Sequence, residues 1–169
     1  FVLPIITRMY EPTQFGTFNL VMSVAAFLSV FCGLGYHQAI VLPKKDNEAL
    51  DLLKISFLIT LMLSILVFIV LIIIPIEYYE NYQMQEIYEY KWIIPLIIFF
   101  HGVYVTFLGW NIRKTNYDVI AFSRVINVLS NKSYIIFTGI MSIASTTALI
   151  YGTLIGSIIM SLLLFIWTF

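Results

Sequence analysis

The chain has 169 residues, of which 61% are hydrophobic and only 11% are charged, and its nine basic and nine acidic side chains cancel to a formal net charge of zero. A soluble domain would carry roughly 25% charged residues, so the composition argues against that class and predicts an all-α integral membrane protein. No basic block is long enough to hold a nucleic-acid backbone, which argues against nucleic acid as a partner.

Six membrane helices are predicted, and the first of them is incomplete. Two apolar runs, 15–35 and 55–76, contain no Asp, Glu, Lys or Arg, and about 20 such residues cross about 30 Å of hydrocarbon. The opening residues Phe1–Ile6 look like the tail of a longer helix, and the apolar end at Phe169 leads us to expect that more sequence follows. The helices are expected at about 1–6, 14–41, 50–76, 92–110, 118–140 and 144–169.

Small residues recur at intervals of four on three of these helices. Such spacing places them on one face, where they let a neighbouring backbone approach closely. The pattern therefore predicts a helix bundle with tight contacts. The sets are Ala25, Ser29 and Gly33 on the second helix, Ser56, Thr60 and Ser64 on the third, and Ala144, Ala148, Gly152 and Gly156 on the last.

Loop charges predict the orientation, because cytoplasmic loops carry an excess of Lys and Arg. The loops after the second and fourth helices hold five basic residues, whereas the opposite loops hold only Arg8 and Lys91. We therefore place those two loops and the amino terminus in the cytoplasm. The Tyr-rich segment 77–91 is then external, and it is predicted to lie on the membrane surface as a short amphipathic turn or helix. The five basic residues are Lys44, Lys45, Lys54, Arg113 and Lys114.

Polar residues on the fifth helix are candidates for function. A charge within hydrocarbon costs at least about 2.5 to 3.5 kcal/mol on insertion scales, so such side chains usually face a cavity or a partner. Five polar residues advance by three or four positions along one face, and Lys132 lies about 100° around the helix from its neighbour in this stripe. We interpret this stripe and Lys132 as the lining of a cavity that holds a phosphate or a sugar; hydrogen bonding between helices is the alternative. The stripe consists of Arg124, Asn127, Asn131, Tyr134 and Thr138.

The two histidines and Arg8 have alternative interpretations. His101 stands nine residues from each Trp that brackets the fourth helix, so it is expected near the bilayer midplane. It is either a neutral side chain hydrogen-bonded to another helix or a proton-coupled or ligand-facing group. His37 is expected at the interface. Arg8 is either an interface anchor or a residue of an external gate.

The basic residues of the predicted cytoplasmic loops have a second interpretation besides orientation. A basic mouth attracts an anionic lipid headgroup to the membrane surface. The residues that would form this mouth are Lys44, Lys45, Arg113 and Lys114.

The sequence carries no signature of an enzyme, a metal site or a cofactor site. It has no Gly-rich phosphate loop, no His-x-x-x-His, no Cys pair, and no carboxylate pair within the predicted spans. The single Cys32 excludes an internal disulfide and is expected to be a small buried residue. We therefore expect neither catalysis nor a bound metal or cofactor.

Three segments of the chain carry a recognisable pattern. The first is Arg8, Tyr10, Pro12, Phe15 and Gly16, the second is Tyr36, Ala39, Ile40, Pro43, Asp46 and Glu48, and the third is segment 110–125. Together they resemble bacterial polysaccharide flippases of the O-antigen transporter type, from the superfamily that also holds MATE drug exporters and the lipid II flippase; the third segment is similar to the stretch before the fifth helix of that family. The chain departs from the family at Gly35 and His37, where relatives often carry an Arg and an acid.

The resemblance implies that residues 1–169 form the amino-terminal transmembrane lobe of a two-lobe, MATE-like transporter in the bacterial inner (plasma) membrane. Such a protein flips an undecaprenyl-diphosphate-linked oligosaccharide to the external leaflet by alternating access, for O-antigen and other lipopolysaccharide, capsule or exopolysaccharide biosynthesis. The expected partners are the lipid-linked oligosaccharide, the lipid bilayer, a carboxy-terminal lobe and polysaccharide assembly proteins.

Two other functions are weighed against this one. A MATE-like ion-coupled exporter of small molecules would want acidic residues in its cavity, and the second and fourth predicted helices contain none. A multispan glycan polymerase or ligase would need a large external loop with catalytic Arg or His. The Tyr-rich segment is too short and too acidic for that role.

Overall fold

The computed structural model describes residues 3–81, 84–141 and 143–168, and these residues form helices and connecting turns without a strand. The ends of the predicted first and last helices, the middle of the Tyr-rich segment and Ser142 lie outside the described residues. The helices are α1 (Leu3–Met9), α2 (Pro12–Ser29), α3 (Tyr36–Ala39), α4 (Asp46–Ile73), α5 (Ile76–Asn81), α6 (Gln85–Tyr90), α7 (Ile93–Arg113), α8 (Tyr117–Ile140) and α9 (Thr146–Ile166).

Within these ranges, three helices are long and apolar enough to cross a membrane, namely α4, α7 and α9, and α2 with α3 makes a fourth if the bent pair is one span. This confirms the all-α membrane class. Helix α8 has 24 residues, a length of about 36 Å, but its polar residues keep it outside the set of apolar spans. The predicted count of six membrane helices is therefore not reached by length and hydropathy.

The continuous helix predicted over 14–41 is wrong. Helix α2 ends at Ser29, a 3-10 turn covers Cys32–Gly35, and the segment Cys32–Ala39, which includes α3, is bent by 44° from α2. The cause is the left-handed backbone of Gly33 (φ 67°) and Gly35 (φ 83°), which glycine adopts readily. Leu34 between them is also left-handed (φ 43°). Non-helical backbone at membrane depth is tolerated where protein buries it or where it lines a cavity.

The close contact predicted for the last helix is confirmed between α8 and α9. A Cβ atom added to Gly152 would lie 2.8 Å from a side-chain carbon of Ile135, and one added to Gly156 would lie 3.1 Å from the carbonyl oxygen of Asn127. The two backbones therefore meet at a distance that only glycine allows without a shift. This contact fixes the face of α8 that turns toward the bundle.

The small polar face of α4 packs against α7, which also contacts α2, α8 and α9. The Ser56 and Thr106 hydroxyls lie 2.9 Å apart, and Ser64 donates a hydrogen bond to the Pro95 carbonyl at 2.8 Å. Both serines are buried. The face predicted from the four-residue spacing is thus confirmed, and α7 is held at the centre of the bundle.

The Tyr-rich segment forms the short helices α5 and α6, which fold back on the bundle instead of lying apart from it. Tyr79 donates a hydrogen bond to the Leu71 carbonyl at 3.1 Å, and the Tyr90 and Thr147 hydroxyls lie 3.2 Å apart. Burial raises the pKa of Tyr79. The two short helices therefore contact the carboxyl end of α4 and the amino end of α9.

Candidate functional site

A cavity of about 390 Å³ lies between α7, α8 and α9. All three helices contribute to its wall near the middle of their lengths, so the cavity lies at the depth of the bilayer core if these helices span it. Its lining residues are His101 and Tyr104 from α7, Arg124, Asn127 and Val128 from α8, and Ser157 and Met160 from α9.

The geometry of α8 explains why two of its polar residues share this wall. Arg124 and Asn127 are three positions apart, so they lie on one face. Arg124 is the eighth residue of the helix, about 10 Å along its axis from the first. Gly156 of α9 packs closely against the carbonyl oxygen and the side-chain nitrogen of Asn127, and this contact holds α8 in place beside α9.

The cavity is basic and its cation has no counterion. The Arg124 side chain is exposed, and it makes no hydrogen bond or ion pair within the part of the chain that the structure describes. No carboxylate is among the residues that line the cavity. The His101 ring, also exposed, lies 6.2 Å from the Tyr104 ring, tilted by 58°. The arrangement suits an anionic ligand, because an unpaired cation in a low-dielectric site is stabilised by opposite charge.

A second cavity of about 230 Å³ adjoins the first. His101 and Ser157 belong to the walls of both. The remaining wall is mostly apolar and comes from the last two turns of α2 and from α7. These residues are Met22, Ala25, Ala26, Ser29, Val30 and Ile97.

The polar stripe of α8 divides into parts with different surroundings. Arg124 and Asn127 line the first cavity, whereas Asn131 lines neither, and its buried side-chain oxygen has no hydrogen-bond partner among the residues that the structure describes. Thr138 lies 2.9 Å, hydroxyl to hydroxyl, from Tyr10, which also donates to the Ile135 carbonyl at 2.8 Å. Near the carboxyl end of α8, the stripe therefore makes hydrogen bonds between helices, which is the alternative interpretation.

Lys132 is half-buried and does not line either cavity. It lies one turn of α8 beyond Val128, on the flank of the stripe. Arg8, near the end of α1, is exposed. The structure thus brings together three of the predicted cavity residues, His101, Arg124 and Asn127, and leaves Asn131 and Lys132 outside the wall.

Arg113 and Lys114, predicted to lie at a basic mouth, are bound to other groups of the protein. Arg113 donates to the Asp46 carboxylate at 3.0 Å and to the carbonyls of Ile40, Val41 and Pro43, and its side chain is only 11% exposed. Lys114 donates to the other Asp46 oxygen at 2.6 Å.

Asp46 stands ahead of the apolar part of α4, and its carboxylate is held charged by this contact. The hydrogen bonds from Lys114 and Arg113 lower the pKa of Asp46 below its ordinary value. Lys44 and Lys45 remain exposed, with Lys45 3.9 Å from the Glu48 carboxylate. Of the four predicted mouth residues, Arg113 and Lys114 therefore stabilise the connection between α3 and α4, and the other two face solvent.

His37 is not simply an interfacial residue. Its Nδ1 atom is buried and has no hydrogen-bond partner among the described residues. A Cβ atom added to Gly33 would lie 3.1 Å from this nitrogen and 2.7 Å from the Ser56 hydroxyl. His37 therefore packs against the broken segment after α2, next to α4.

Several residues of the site escape sequence reasoning. Tyr104, Ser157 and Met160 line the first cavity, and the signal for Tyr104 was its position three residues after His101. Ser157 follows Gly156 on an otherwise apolar helix, where nothing local marks it. Outside the site, Asn111 was also missed; it is fully buried and donates hydrogen bonds to the Phe107 carbonyl and the Thr168 hydroxyl.

The fold and the site define a multi-pass, all-α membrane protein with a basic cavity among its helices. Comparison with known families is consistent with this class and narrows it. The chain matches the family described as "Polysaccharide biosynthesis protein" over residues 5–168. It therefore belongs to that family, which indicates a role in polysaccharide biosynthesis at the membrane. No curated protein and no solved structure matches the chain.

Proposed function

We propose that the protein is a flippase, which moves an undecaprenyl-diphosphate-linked oligosaccharide from the cytoplasmic to the external leaflet of the bacterial inner membrane. The observation that carries the proposal is that Arg124, which has no ion pair among the described residues, lines a cavity at mid-helix depth together with His101 and Asn127. Membership of a polysaccharide biosynthesis family supports the choice of cargo.

The chemistry of the cavity matches a diphosphate. A diphosphate that leaves water needs countercharge, since an isolated ion in a low-dielectric site carries a penalty of at least several kcal/mol. The Arg124 guanidinium offers a rigid set of donors for phosphate oxygens, and the Asn127 amide adds further donors. A cation exporter would instead need carboxylates in the wall, and the described lining has none.

The transport step breaks no covalent bond, so the protein acts here as a carrier and not as an enzyme. In this proposal the chain forms the amino-terminal lobe of a two-lobe transporter, and the cavity alternates between the two faces of the membrane as the lobes rock. The exposed Lys44 and Lys45 attract the anionic headgroup on the cytoplasmic side.

The test is complementation of a bacterial strain that lacks its own flippase, with surface polysaccharide as the readout. Arg124→Gln should reduce export strongly, whereas Arg124→Lys should retain a substantial part of it because the charge remains. The matched control is Lys54→Gln, which removes an exposed charge near the start of α4, away from the cavity. Normal export by Arg124→Gln at equal membrane abundance would reject the proposal.

A further inference from the structure

The second cavity, between α2, α7 and α9, shares His101 and Ser157 with the first but has no charged side chain in its described lining. The first has Arg124 and Asn127 in its wall. The second is lined by Met22, Val30, Ile97 and small residues of α2. An elongated ligand that fills both must therefore be polar and anionic at one end and apolar at the other.

Of the polar side chains in the second cavity, both serines already donate hydrogen bonds, and His101 is shared with the first cavity. Ser29 donates its hydroxyl hydrogen to the Ala25 carbonyl at 2.7 Å, and Ser157 donates to the Thr153 carbonyl at 2.9 Å. A sugar placed here would lose hydrogen bonds to water and find few donors in exchange, which is costly. An aliphatic chain loses no hydrogen bonds on entering the cavity, and the burial of its apolar surface is favourable.

The second cavity also offers a way out for a long chain. Ala26 and Val30 are exposed at its rim, and the Val30 side chain is 75% exposed. Phe27 and Phe31 continue this apolar surface around the end of α2, and both are exposed. A chain longer than the cavity can therefore pass over the rim into the surrounding lipid.

We infer that the two cavities form one bipartite site, in which the first holds the phosphate groups of the cargo and the second holds the beginning of the lipid chain attached to them. The inference rests on the proposed function and adds the recognition of the lipid anchor. The apolar turns of α2 before its break then select phosphorylated long-chain alcohols over free sugar phosphates and inorganic phosphate.

The experiment measures binding of radiolabelled farnesyl diphosphate to the protein in nanodiscs, with inorganic diphosphate and geranyl diphosphate as competitors. For the unmodified protein, affinity should rise from inorganic diphosphate to geranyl to farnesyl diphosphate. Ala26→Leu narrows the second cavity from its exposed rim. The substitution should weaken the binding of farnesyl diphosphate about tenfold, which corresponds to losing the burial of roughly two methylene groups. The affinity for inorganic diphosphate should stay unchanged.

The matched control is Ala121→Leu, the same change at an exposed position of α8 that lines neither cavity. If Ala26→Leu reduces folding, Val30→Phe serves as a second rim variant, and Val125→Phe is its control. Both Val side chains are exposed. Equal farnesyl diphosphate affinity in the rim variants and their controls would overturn the inference and leave the proposed function standing. Failure of Arg124→Gln to weaken diphosphate binding would reject both.

Discussion

Two basic regions of the molecule, the α7–α8 turn and the cavity, contrast in how their charges are compensated. At the turn, Arg113 is only 11% exposed and reaches Asp46 and three carbonyls. In the cavity, Arg124 is exposed and has no partner within the described ranges. A cation with partners stabilises the fold, whereas an ionisable side chain within a membrane is costly and usually faces a cavity or a partner. The contrast between the two arginines therefore lies in their partners, and the proposed function assigns a ligand to Arg124.

The largest effect is expected from disrupting the contact between α8 and α9, which positions Arg124 in the cavity. Gly156→Leu forces a side chain against the Asn127 backbone, and overpacking of this kind costs up to about 3 kcal/mol. It should lower the Tm in detergent and reduce export, because α8 must shift.

The substitution Gly156→Ala should show the same changes to a smaller degree, and the volume-conserving Ile158→Leu should leave both measurements near their original values. If all three variants melted at the same temperature, the contact between α8 and α9 would not be the close one described.

The next largest effect is expected at the turn. Arg113→Gln leaves the carbonyls after α3 without their donor and Asp46 with one partner fewer, a loss of about 2 kcal/mol. For a chain of this size that should lower the Tm by about 4 to 8 °C. Export should fall only as far as membrane abundance falls.

Arg124→Gln should show the opposite pattern, with the Tm unchanged or raised and export lost. A variant at Arg113 that blocked export at full abundance and normal Tm would remove the distinction between the two regions.

A smaller effect is expected at Lys132, which belongs to neither region. Because it lies one turn of α8 beyond Val128 and does not line the first cavity, its charge is expected to act on an anion in that cavity only at longer range. Export should decrease in the order Lys132→Arg, Lys132→Gln, Lys132→Glu, with each loss smaller than that of the matching Arg124 variant. Greater sensitivity at Lys132 than at Arg124 would move the anion site along α8.

The smallest effect concerns pH and the Asp46 contact. The pKa of Asp46 in the folded protein is below its ordinary value of 3.8, so its stabilising contribution is complete above that value and is lost as the pH falls through the folded pKa. The carboxylate is well exposed, so water and salt screen the interaction.

We therefore expect a slightly steeper loss of Tm below pH 4 in the unmodified protein than in Asp46→Asn, with the two curves parallel near neutral pH. Curves that stay parallel through the acid range would show that Asp46 does not contribute.

Local regularities in the sequence were enough for the class of fold and for part of the site. Long apolar runs predict membrane helices because hydrocarbon requires internal backbone hydrogen bonds. The four-residue spacing of Gly152 and Gly156 predicted a close contact, and the spacing of Arg124 and Asn127 placed them on one face. These properties depend on neighbours within two helical turns, so they can be derived from the sequence.

The tertiary structure decided which side chains meet. Arg113 and Asp46 are 67 positions apart, and no local pattern indicates that one neutralises the other. The same holds for Ser157 and Tyr104, which reach the cavity only because α9 and α7 pack beside α8. The break after α2 was missed for a related reason: its left-handed residues lie in an apolar run, and the turn that contains them packs against α4 and α7, with Gly33 buried. Residue spacing does not encode those contacts.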